Sequence, residues 1–361
     1  MFDIIYYIIL SFLIPLGLRC NKKASILNLG GIEWNVALLF LFIATVLLRG
    51  LAYDTGQDYM CYYDYYQNTV NSIPDAWGEH TEVIYKLLVD FLILFSNSPT
   101  LFFVFSSIIV IGTMLKVSQN YGKSASWIMI LWWTFMHTLS FNLYRQYYAI
   151  SFILLAYLLW TEKKYKWSLV YITLSIAFHT SSFLMIMVIF VTIYCSKWQY
   201  NKWLPICAVV LTTFFSTVFN NQISVLCDMV SLYYQSITGQ LYEASEILDS
   251  KWETSSMLYP NMIVYIIWLW YGYKYCKENP QHKSLYNIFA LTLILIPITR
   301  QEILMRLCLY LTAFCPIFLG LLMTSRYRKE PLLVGTVFFH FAYYIYGLSS
   351  LLKEFPLRFD I

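Results

Sequence analysis

Long apolar runs recur along this sequence, separated by short polar turns. An α-helix needs about 20 predominantly apolar residues to cross a bilayer, although spans of about 17–25 residues occur. We therefore expect an all-α polytopic membrane protein with about 12 transmembrane helices in a single domain, 1–361. The expected spans, several of them shorter than this range, cover about 4–18, 34–48, 100–117, 127–143, 146–161, 166–179, 182–196, 203–219, 258–275, 284–299, 303–323 and 331–350.

The composition agrees with a membrane protein and argues against a soluble one. Charged residues make up only 12% of the chain and hydrophobic residues 59%, whereas soluble domains carry about 25% charged residues. The aromatic share of 19% is typical of a membrane protein with thick interfacial belts. The 8 Cys show no CxxC and no metal-ligand spacing, so we expect no disulfide and no metal site.

One further apolar run, 83–95, contains Lys86 and Asp90 and is short for a span, so we interpret it as a helix that lies along the outer membrane surface. With that choice, most of the 24 Lys and Arg fall in loops on one side, which the positive-inside rule assigns to the cytoplasm. Two long, acidic and aromatic loops, about 49–99 and 220–257, are then outside.

The stretch 142–182 contains two apolar runs joined by the basic turn 162–166. If each run crosses the membrane, the rise of about 1.5 Å per residue returns His179 to the surface at which Arg145 begins. A neutral imidazole there could accept a proton or donate a hydrogen bond. The alternative is that His179 is a structural residue at the end of a helix.

Against the positive-inside bias, a group of arginines lies at or inside the outer ends of expected spans: Arg49, Arg145, Arg300 and Arg306. Arg145 and Arg300 each begin an inward-running helix, where free N–H groups and the helix dipole favour an anion. A guanidinium can also bind phosphate bidentately, so these two residues could clamp a phosphate. The alternatives are snorkelling to the interface and, for Arg306, a structural salt bridge with Glu302.

The first outer loop combines carboxylates with Tyr and Trp, a composition typical of carbohydrate-binding surfaces. Aromatic rings there stack on sugar faces while the acids accept hydroxyl protons. The acids include Asp58, in the Tyr-rich segment 56–67, and Glu82, just before the surface helix. The alternative is an interfacial tyrosine belt with solvated acids, and an acid is also common at a helix N-terminus.

In order and spacing, these features resemble the EpsG-like branch of the Wzy-type bacterial polysaccharide polymerases. The resemblance spans most of the chain and rests on Arg49, Gly56-x-Asp58-Tyr59-x-x-Tyr62, Glu82, Arg145-Gln146, the Lys-rich turn, Ala177-Phe178-His179-Thr180-Ser181 and Arg306. It implies a GT-C-like membrane glycosyltransferase at the outer face of the bacterial cytoplasmic membrane. Such an enzyme transfers a growing glycan from undecaprenyl diphosphate to a lipid-linked repeat unit.

The resemblance also implies roles for individual residues. The diphosphate would be held by Arg145 and Arg306 and contacted by Arg49. Arg300 would assist them, on the ground of its proximity and not of a motif match. The acceptor hydroxyl would be activated by Glu82, Asp58 or His179, with one of the two acids as first choice. The glycan would contact Tyr59, Tyr62 and Gln146. We expect no metal, no other cofactor and no nucleic acid; the expected partners are an undecaprenyl-diphosphate-linked oligosaccharide, membrane lipids and a chain-length regulator protein.

Two other functions remain open at this point. An O-antigen-ligase-like transferase or a membrane O-acyltransferase would use the same outward Arg and His pocket with a different acceptor. A lipid-linked oligosaccharide flippase or transporter would show internal repeats, broken helices and polar lines through the bundle. The polar residues cluster instead toward one face, and the other halves of the helices stay apolar, which favours an enzyme.

Overall fold

The computed structural model describes residues 2–19, 27–53, 55, 58–74, 81–195, 202–218, 258–298, 302–354 and 358–359. Arg300 and the expected outer loop 220–257 lie outside this part of the chain. The described chain is mostly helical, and every expected span falls on helical structure. The α-helices are α1 (Phe2–Arg19), α2 (Val36–Gly50), α3 (Tyr59–Val70), α4 (Val83–Ile93), α5 (Thr100–Asn120), α6 (Ala125–Trp132), α7 (Tyr144–Thr161), α8 (Tyr165–Phe178), α9 (Ser182–Cys195), α10 (Trp203–Val218), α11 (Leu258–Glu278), α12 (Lys283–Leu295), α13 (Glu302–Thr312), α14 (Cys315–Thr324) and α15 (Pro331–Glu354).

Two segments of the described chain are long and apolar enough to cross a membrane, Thr100–Asn120 and Leu304–Thr324. Other apolar helices, among them Val36–Gly50 and Ser182–Cys195, are shorter. These fall below the roughly 17–25 residues of a typical span. The number of about 12 transmembrane helices therefore stays a prediction.

Some expected spans are interrupted rather than continuous. The run at 127–143 begins as α6 and continues as a π-helix, Trp133–His137, and a 3-10 helix, Thr138–Phe141. A 3-10 turn at Pro297 follows α12, and α14 begins anew with Pro316 in its first turn. Proline has no N–H for the helical ladder, which accounts for the last two breaks.

Helices α7 and α8 form an antiparallel hairpin that packs through small residues. The Ser168 hydroxyl donates to the carbonyl of Ala156 at 2.8 Å, and the Ser175 hydroxyl donates to that of Ala149 at 2.9 Å. Both serines are buried, and small residues at such a seam let two helix backbones approach closely. The hairpin returns the chain to the level at which α7 begins, as the sequence predicts.

Two short antiparallel ladders depart from the expected all-α fold. The first pairs β1 (Leu27–Leu29) with β2 (Ile32–Trp34) across Gly30-Gly31, whose φ angles are 62° and 70°. Positive φ at both turn residues is what a tight two-residue hairpin of this type requires. The second ladder pairs β3 (Ala52–Tyr53) with β4 (Arg358–Phe359). It ties the segment after α15 to the segment after α2.

Polar contacts group the loops at two ends of the bundle. At the lysine-rich end, Lys116 Nζ donates to the carbonyl of Gly31, and the hydroxyls of Ser124 and Thr324 lie 2.6 Å apart. The opposite end carries α3, α4 and the first turn of α7. This grouping matches the division of loops that the charge distribution predicts, and which end faces outward stays a prediction.

A cluster of aromatic side chains anchors α3 and α4 on the adjoining ends of α5 and α7. Its centre consists of four buried residues with ring centroids 5.2 to 6.1 Å apart: Tyr62, Tyr85, Phe102 and Tyr144. Aromatic pairs are favourable at centroid distances of about 4.5–7 Å. Because the Tyr-rich sequence of α3 carries little hydropathy signal, the sequence does not predict this helix. In the structure, α3 buries one face, which consists of tyrosines, against the aromatic cluster.

Helix α4 is apolar on two opposite faces, as a helix at a membrane surface would be. One face is buried against the aromatic cluster through Tyr85, Val89 and Leu92. The other face, extended past the end of the helix, is exposed: Val83, Leu87, Phe91, Leu94 and Phe95. This apolar stripe, which is exposed within the described part of the chain, supports the expected interfacial helix, since such helices bury one face in the headgroup region.

Candidate active site

The side chain of Glu82 joins three separate elements at one end of the bundle. Glu82 is the N-cap of α4. Its Oε2 accepts a hydrogen bond from Nη1 of Arg145, in the first turn of α7, at 2.6 Å. Its Oε1 lies 3.0 Å from Nδ1 of His179, the C-cap residue of α8. The structure thus brings together Arg145, His179 and Glu82, all of which the sequence proposes as site residues.

This triad is largely shielded from solvent and strongly polar. The exposed fractions are 12% for the Glu82 side chain, 17% for Arg145 and 26% for His179. Burial disfavours the carboxylate, but the hydrogen bond with His179 and the charge of Arg145 outweigh it and lower the pKa of Glu82 to about 2. Glu82 is therefore an anion at neutral pH, paired with the Arg145 cation.

Aromatic residues of α3 and α4 hold the Arg145 guanidinium. Its Cζ lies 5.9 Å from the ring centroid of Tyr85, within range of a cation–π contact. A side-chain hydrogen bond also joins Arg145 to Tyr62. Burial raises the pKa of the Tyr62 hydroxyl to about 12, although Arg145 acts in the opposite direction. Tyr62 thus stays protonated and fixes the orientation of the guanidinium.

A second arginine–carboxylate pair lies beside the first. Nη2 of Arg306, on α13, is 3.8 Å from Oδ2 of Asp58, and both side chains are about one-third exposed, at 28% and 33%. The backbone N–H of Asp58 donates to Oδ1 of Asn142 at 2.5 Å. This contact fixes the start of α3 against the segment that leads into α7.

Gln146 links the two pairs. It follows Arg145 directly on α7, and its Nε2 donates to the backbone carbonyl of Arg306. Gln146 is buried, and its Oε1 has no hydrogen-bond partner within the described chain. The two guanidinium groups therefore belong to one assembly of α3, α4, α7 and α13.

Arg49 is not part of this assembly. Its side chain is 1% exposed, and it donates to the Ser107 hydroxyl at 2.8 Å and to the Ser140 carbonyl at 2.7 Å. Its Cζ also lies 4.8 Å from the ring centroid of Phe141. Arg49 thus joins α2 and α5 to the irregular segment before α7, and its guanidinium is buried among protein partners. The sequence locates Arg49 at a helix end but says nothing of its depth.

The expected glycan-binding residues are buried in this structure. Tyr59 is 3% exposed and stacks on Phe103 at a centroid distance of 4.2 Å, while Tyr62 is 4% exposed.

Sequence reasoning misses two residues near the site. Asn142 positions Asp58, and the hydroxyl of Tyr310 lies 3.3 Å from that of Ser181, which is close to His179 in the chain. Asn142 gives a signal only through its position before the Arg145-Gln146 pair.

The donors at the site favour anion binding over metal binding. No group of three or more His, Cys, Asp or Glu side chains in the described ranges has the geometry to hold a metal ion. What the site presents is two guanidinium groups, two carboxylates and an imidazole. Such a set can hold a phosphate, accept a proton and stabilise a leaving anion.

A family model described as the EpsG family matches residues 35–357, which include both arginine–carboxylate pairs and His179. No curated protein and no solved structure matches the chain.

Proposed function

Because the chain belongs to the EpsG family of membrane proteins, which are polysaccharide polymerase-like, we propose that it is a GT-C-like membrane glycosyltransferase that polymerises a polysaccharide. The donor is a growing glycan on undecaprenyl diphosphate, and the acceptor is a lipid-linked repeat unit. The observation that carries this proposal is the pair of arginines, Arg145 and Arg306, each beside a carboxylate at one end of the bundle.

The two guanidinium groups are the proposed ligands of the diphosphate. Each can make two parallel hydrogen bonds to phosphate oxygens, and a doubly paired cation stabilises the charge that develops on a leaving diphosphate. In the structure their partners are Glu82 and Asp58. A diphosphate would compete with these carboxylates for the same N–H donors. No metal ion is needed in this scheme, because the guanidinium groups supply the positive charge.

Glu82 is the proposed general base, with Asp58 as the second candidate. The acceptor hydroxyl oxygen attacks the anomeric carbon of the donor, the bond from that carbon to the diphosphate oxygen breaks, and undecaprenyl diphosphate leaves with the electron pair. The hydroxyl proton passes to Glu82. A carboxylate with a pKa of about 2 is a weak base. Transfer of Arg145 from Glu82 to the incoming diphosphate would raise that pKa and so couple donor binding to activation of the base.

His179 assists by orientation. Its Nδ1 forms a hydrogen bond with Oε1 of Glu82, the carboxylate oxygen that Arg145 does not contact in the Arg145–Glu82 hydrogen bond. This bond orients the carboxylate. When Glu82 leaves Arg145, this contact is the one that keeps it at the site. Gln146 Oε1, buried without a partner within the described chain, is an acceptor for a sugar hydroxyl.

The proposed location is the bacterial cytoplasmic membrane, with the site at its outer face. Support comes from the lysine-rich loops, which gather at the end opposite the site, and from the positive-inside rule. Membrane lipids contact the apolar stripe of α4, and a chain-length regulator protein is a proposed partner. A cysteine introduced at Asp64 should be labelled from outside intact cells, and one at Lys163 only after permeabilisation. The reverse pattern would overturn this orientation.

The decisive experiment incubates the purified protein with a lipid-linked repeat unit and resolves the products by size. A ladder of longer glycans supports the polymerase. Transfer of one preformed chain would instead indicate a ligase, addition of an acyl group an O-acyltransferase, and movement across the membrane without covalent change a flippase. Each of these three outcomes would overturn the proposal.

A further inference from the structure

A cavity of about 340 Å³ lies on the side of α3 that faces the ends of α2 and α5. Small-molecule sites typically measure about 300–1,000 Å³, so the cavity is large enough to hold a ligand. Gly50, the last residue of α2, forms part of its lining. A Cβ at Gly50 would lie 2.7 Å from the Cα of Val104, so only glycine lets α2 and α5 meet closely enough to close this side.

One wall of the cavity is a rigid set of tyrosine rings. Tyr53 packs edge-on against both Tyr59 and Tyr63, at centroid distances of 5.6 and 5.8 Å. Tyr59 is in turn stacked on Phe103 at 4.2 Å. Tyr53 and Tyr63 are only half-buried and retain ring surface for a ligand. Because the rings support one another, this wall is formed before any ligand arrives.

Apart from Gly50, Leu51 and Pro99, the rest of the lining is polar, and all of it is uncharged. Gln67 and Asn97 contribute amides, which both donate and accept hydrogen bonds, and Thr100 contributes a hydroxyl. None of the described residues that line the cavity carries a charge. Flat apolar rings beside neutral donors and acceptors match a sugar, whose C–H faces stack on rings and whose hydroxyls both donate and accept. An anionic ligand would meet no countercharge among these described lining residues.

Helix α3 connects the cavity to the arginine–carboxylate assembly. Tyr59, Tyr63 and Gln67 are spaced four residues apart and so lie on one face of α3, while Tyr62 on another face bonds to Arg145. Asp58, which immediately precedes the helix, approaches Arg306. From Asp58 to Gln67 the helix rises about 14 Å. A glycan whose reacting end is at the two arginines could therefore extend along α3 into the cavity.

We propose that this cavity is a binding subsite for a neutral carbohydrate segment, separate from the diphosphate and the reacting sugar. The inference rests on the proposed function, which supplies the glycan. The segment belongs either to the growing chain on the donor or to the incoming repeat unit. In both cases the chemistry that recognises it is the same.

Direct binding tests the subsite without catalysis. The probe is a set of lipid-free oligosaccharides, prepared by partial hydrolysis of the polysaccharide made by the cells that carry this protein. They are titrated calorimetrically into the protein in lipid nanodiscs. The double variant Gln67→Ala/Asn97→Ala should bind them about tenfold more weakly, since it removes two neutral hydrogen-bonding groups. The single variant Asn97→Trp should block them at the cavity, and Asp64→Asn, exposed on the same helix, should bind like the wild type.

Size-resolved products from the lipid-linked repeat unit then identify the source of the segment. If Gln67→Ala/Asn97→Ala shortens the ladder but leaves the first addition unchanged, the cavity holds the growing chain. If it raises the KM for the repeat unit, the cavity holds the acceptor. Binding and product length equal to the wild type in both cavity variants would overturn the subsite, even when the wild type forms a ladder. Suppose instead that the wild type binds oligosaccharides, that both cavity variants bind them more weakly, and that no ladder forms. This result would support the subsite and contradict the proposed polymerase activity.

Discussion

Arg145 and His179 bind opposite oxygens of the same carboxylate, although a complete helical hairpin separates them in the chain. The Arg145 Nη1–Glu82 Oε2 distance is 2.6 Å and the His179 Nδ1–Glu82 Oε1 distance is 3.0 Å. The buried Ser168 and Ser175 keep the two arms of that hairpin in register. The geometry of the proposed site therefore depends on helix packing well away from it, as well as on the residues that do the chemistry.

Replacing Arg145 with Lys should lower the rate of glycan transfer about 100-fold, because an ammonium cannot supply the two parallel N–H donors that a diphosphate uses. The measurement is the initial rate of ladder formation in nanodiscs, together with calorimetric binding of inorganic pyrophosphate. Arg328→Lys is the matched control, since Arg328 is exposed at the opposite end of the bundle. Full rate and full polymer length in Arg145→Lys would refute a bidentate role.

Replacing Glu82 with Gln should separate catalysis from anion binding. The variant keeps the shape of the side chain but cannot accept the proton, so transfer should fall by about 100- to 1,000-fold. Pyrophosphate should bind more tightly than to the wild type, because Arg145 no longer pairs with the carboxylate of Glu82. Asp58→Asn should reduce transfer far less, and Glu33→Gln, exposed in the β1–β2 hairpin, should have no effect. If Asp58→Asn were the more damaging change, Asp58 would replace Glu82 as the base.

The thermal stability of the protein should depend on pH through Glu82. Its folded-state pKa is about 2, below the ordinary value of 4.5 for a glutamate, so its contribution to stability is present above pH 4.5 and is lost as the pH falls toward 2. A shift of this size corresponds to about 3 kcal/mol. The unfolding temperature of the wild type should exceed that of Glu82→Gln at pH 6, and the gap should narrow below pH 4.5. A gap that stayed constant down to pH 3 would contradict this account.

Arg49→Met should destabilise the fold and leave anion binding intact. The substitution removes the donor to the Ser140 carbonyl and the Ser107 hydroxyl, and a buried polar group left without its partner costs about 1–3 kcal/mol. We expect a lower unfolding temperature with an unchanged pyrophosphate affinity in the folded fraction. Loss of pyrophosphate binding at an unchanged unfolding temperature would restore Arg49 as a phosphate ligand.

Ser175→Leu should disturb the site from within the α7–α8 seam. A leucine cannot fit where the serine contacts the backbone of Ala149, and overpacking costs about 1–3 kcal/mol. We expect reduced transfer together with a lower unfolding temperature, because the hairpin no longer places Arg145 and His179 at the same carboxylate. Thr173→Leu, on the exposed face of the same helix, is the control. Wild-type behaviour of Ser175→Leu would show that the seam does not set the site.

The sequence predicts the helices and the α7–α8 hairpin well, because apolar runs and a basic turn are local signals. It also brings Arg145 and His179 to one surface, since helical rise alone determines their height. It does not predict α3, whose buried tyrosine face packs against Tyr85 and Phe102. The buried face of α3 consists of tyrosines, which hydropathy scales do not count as strongly apolar, so the sequence shows no apolar periodicity there.

The partners of the charged residues are the part that the sequence could not supply. Arg49 looks like Arg145 in sequence, since both lie at expected helix ends. They differ in the contacts that distant segments make with them. The Arg49 guanidinium is buried and donates to the carbonyl of Ser140, whereas the Arg145 guanidinium is partly exposed and donates to Glu82. Depth and pairing of this kind depend on how several elements pack, and no short pattern in a single segment encodes them.

The pairing of Tyr53 with Arg358 in the second ladder has a consequence for biosynthesis. Tyr53 forms part of the tyrosine wall, yet its strand partner is translated only after every helix from α3 to α15. After membrane insertion of the earlier helices, Tyr53 would stay without its strand partner until residues 358–359 emerge. A chain stalled or cleaved before this point would carry both arginine–carboxylate pairs and all the lining residues of the cavity, but it would lack the strand that pairs with Tyr53.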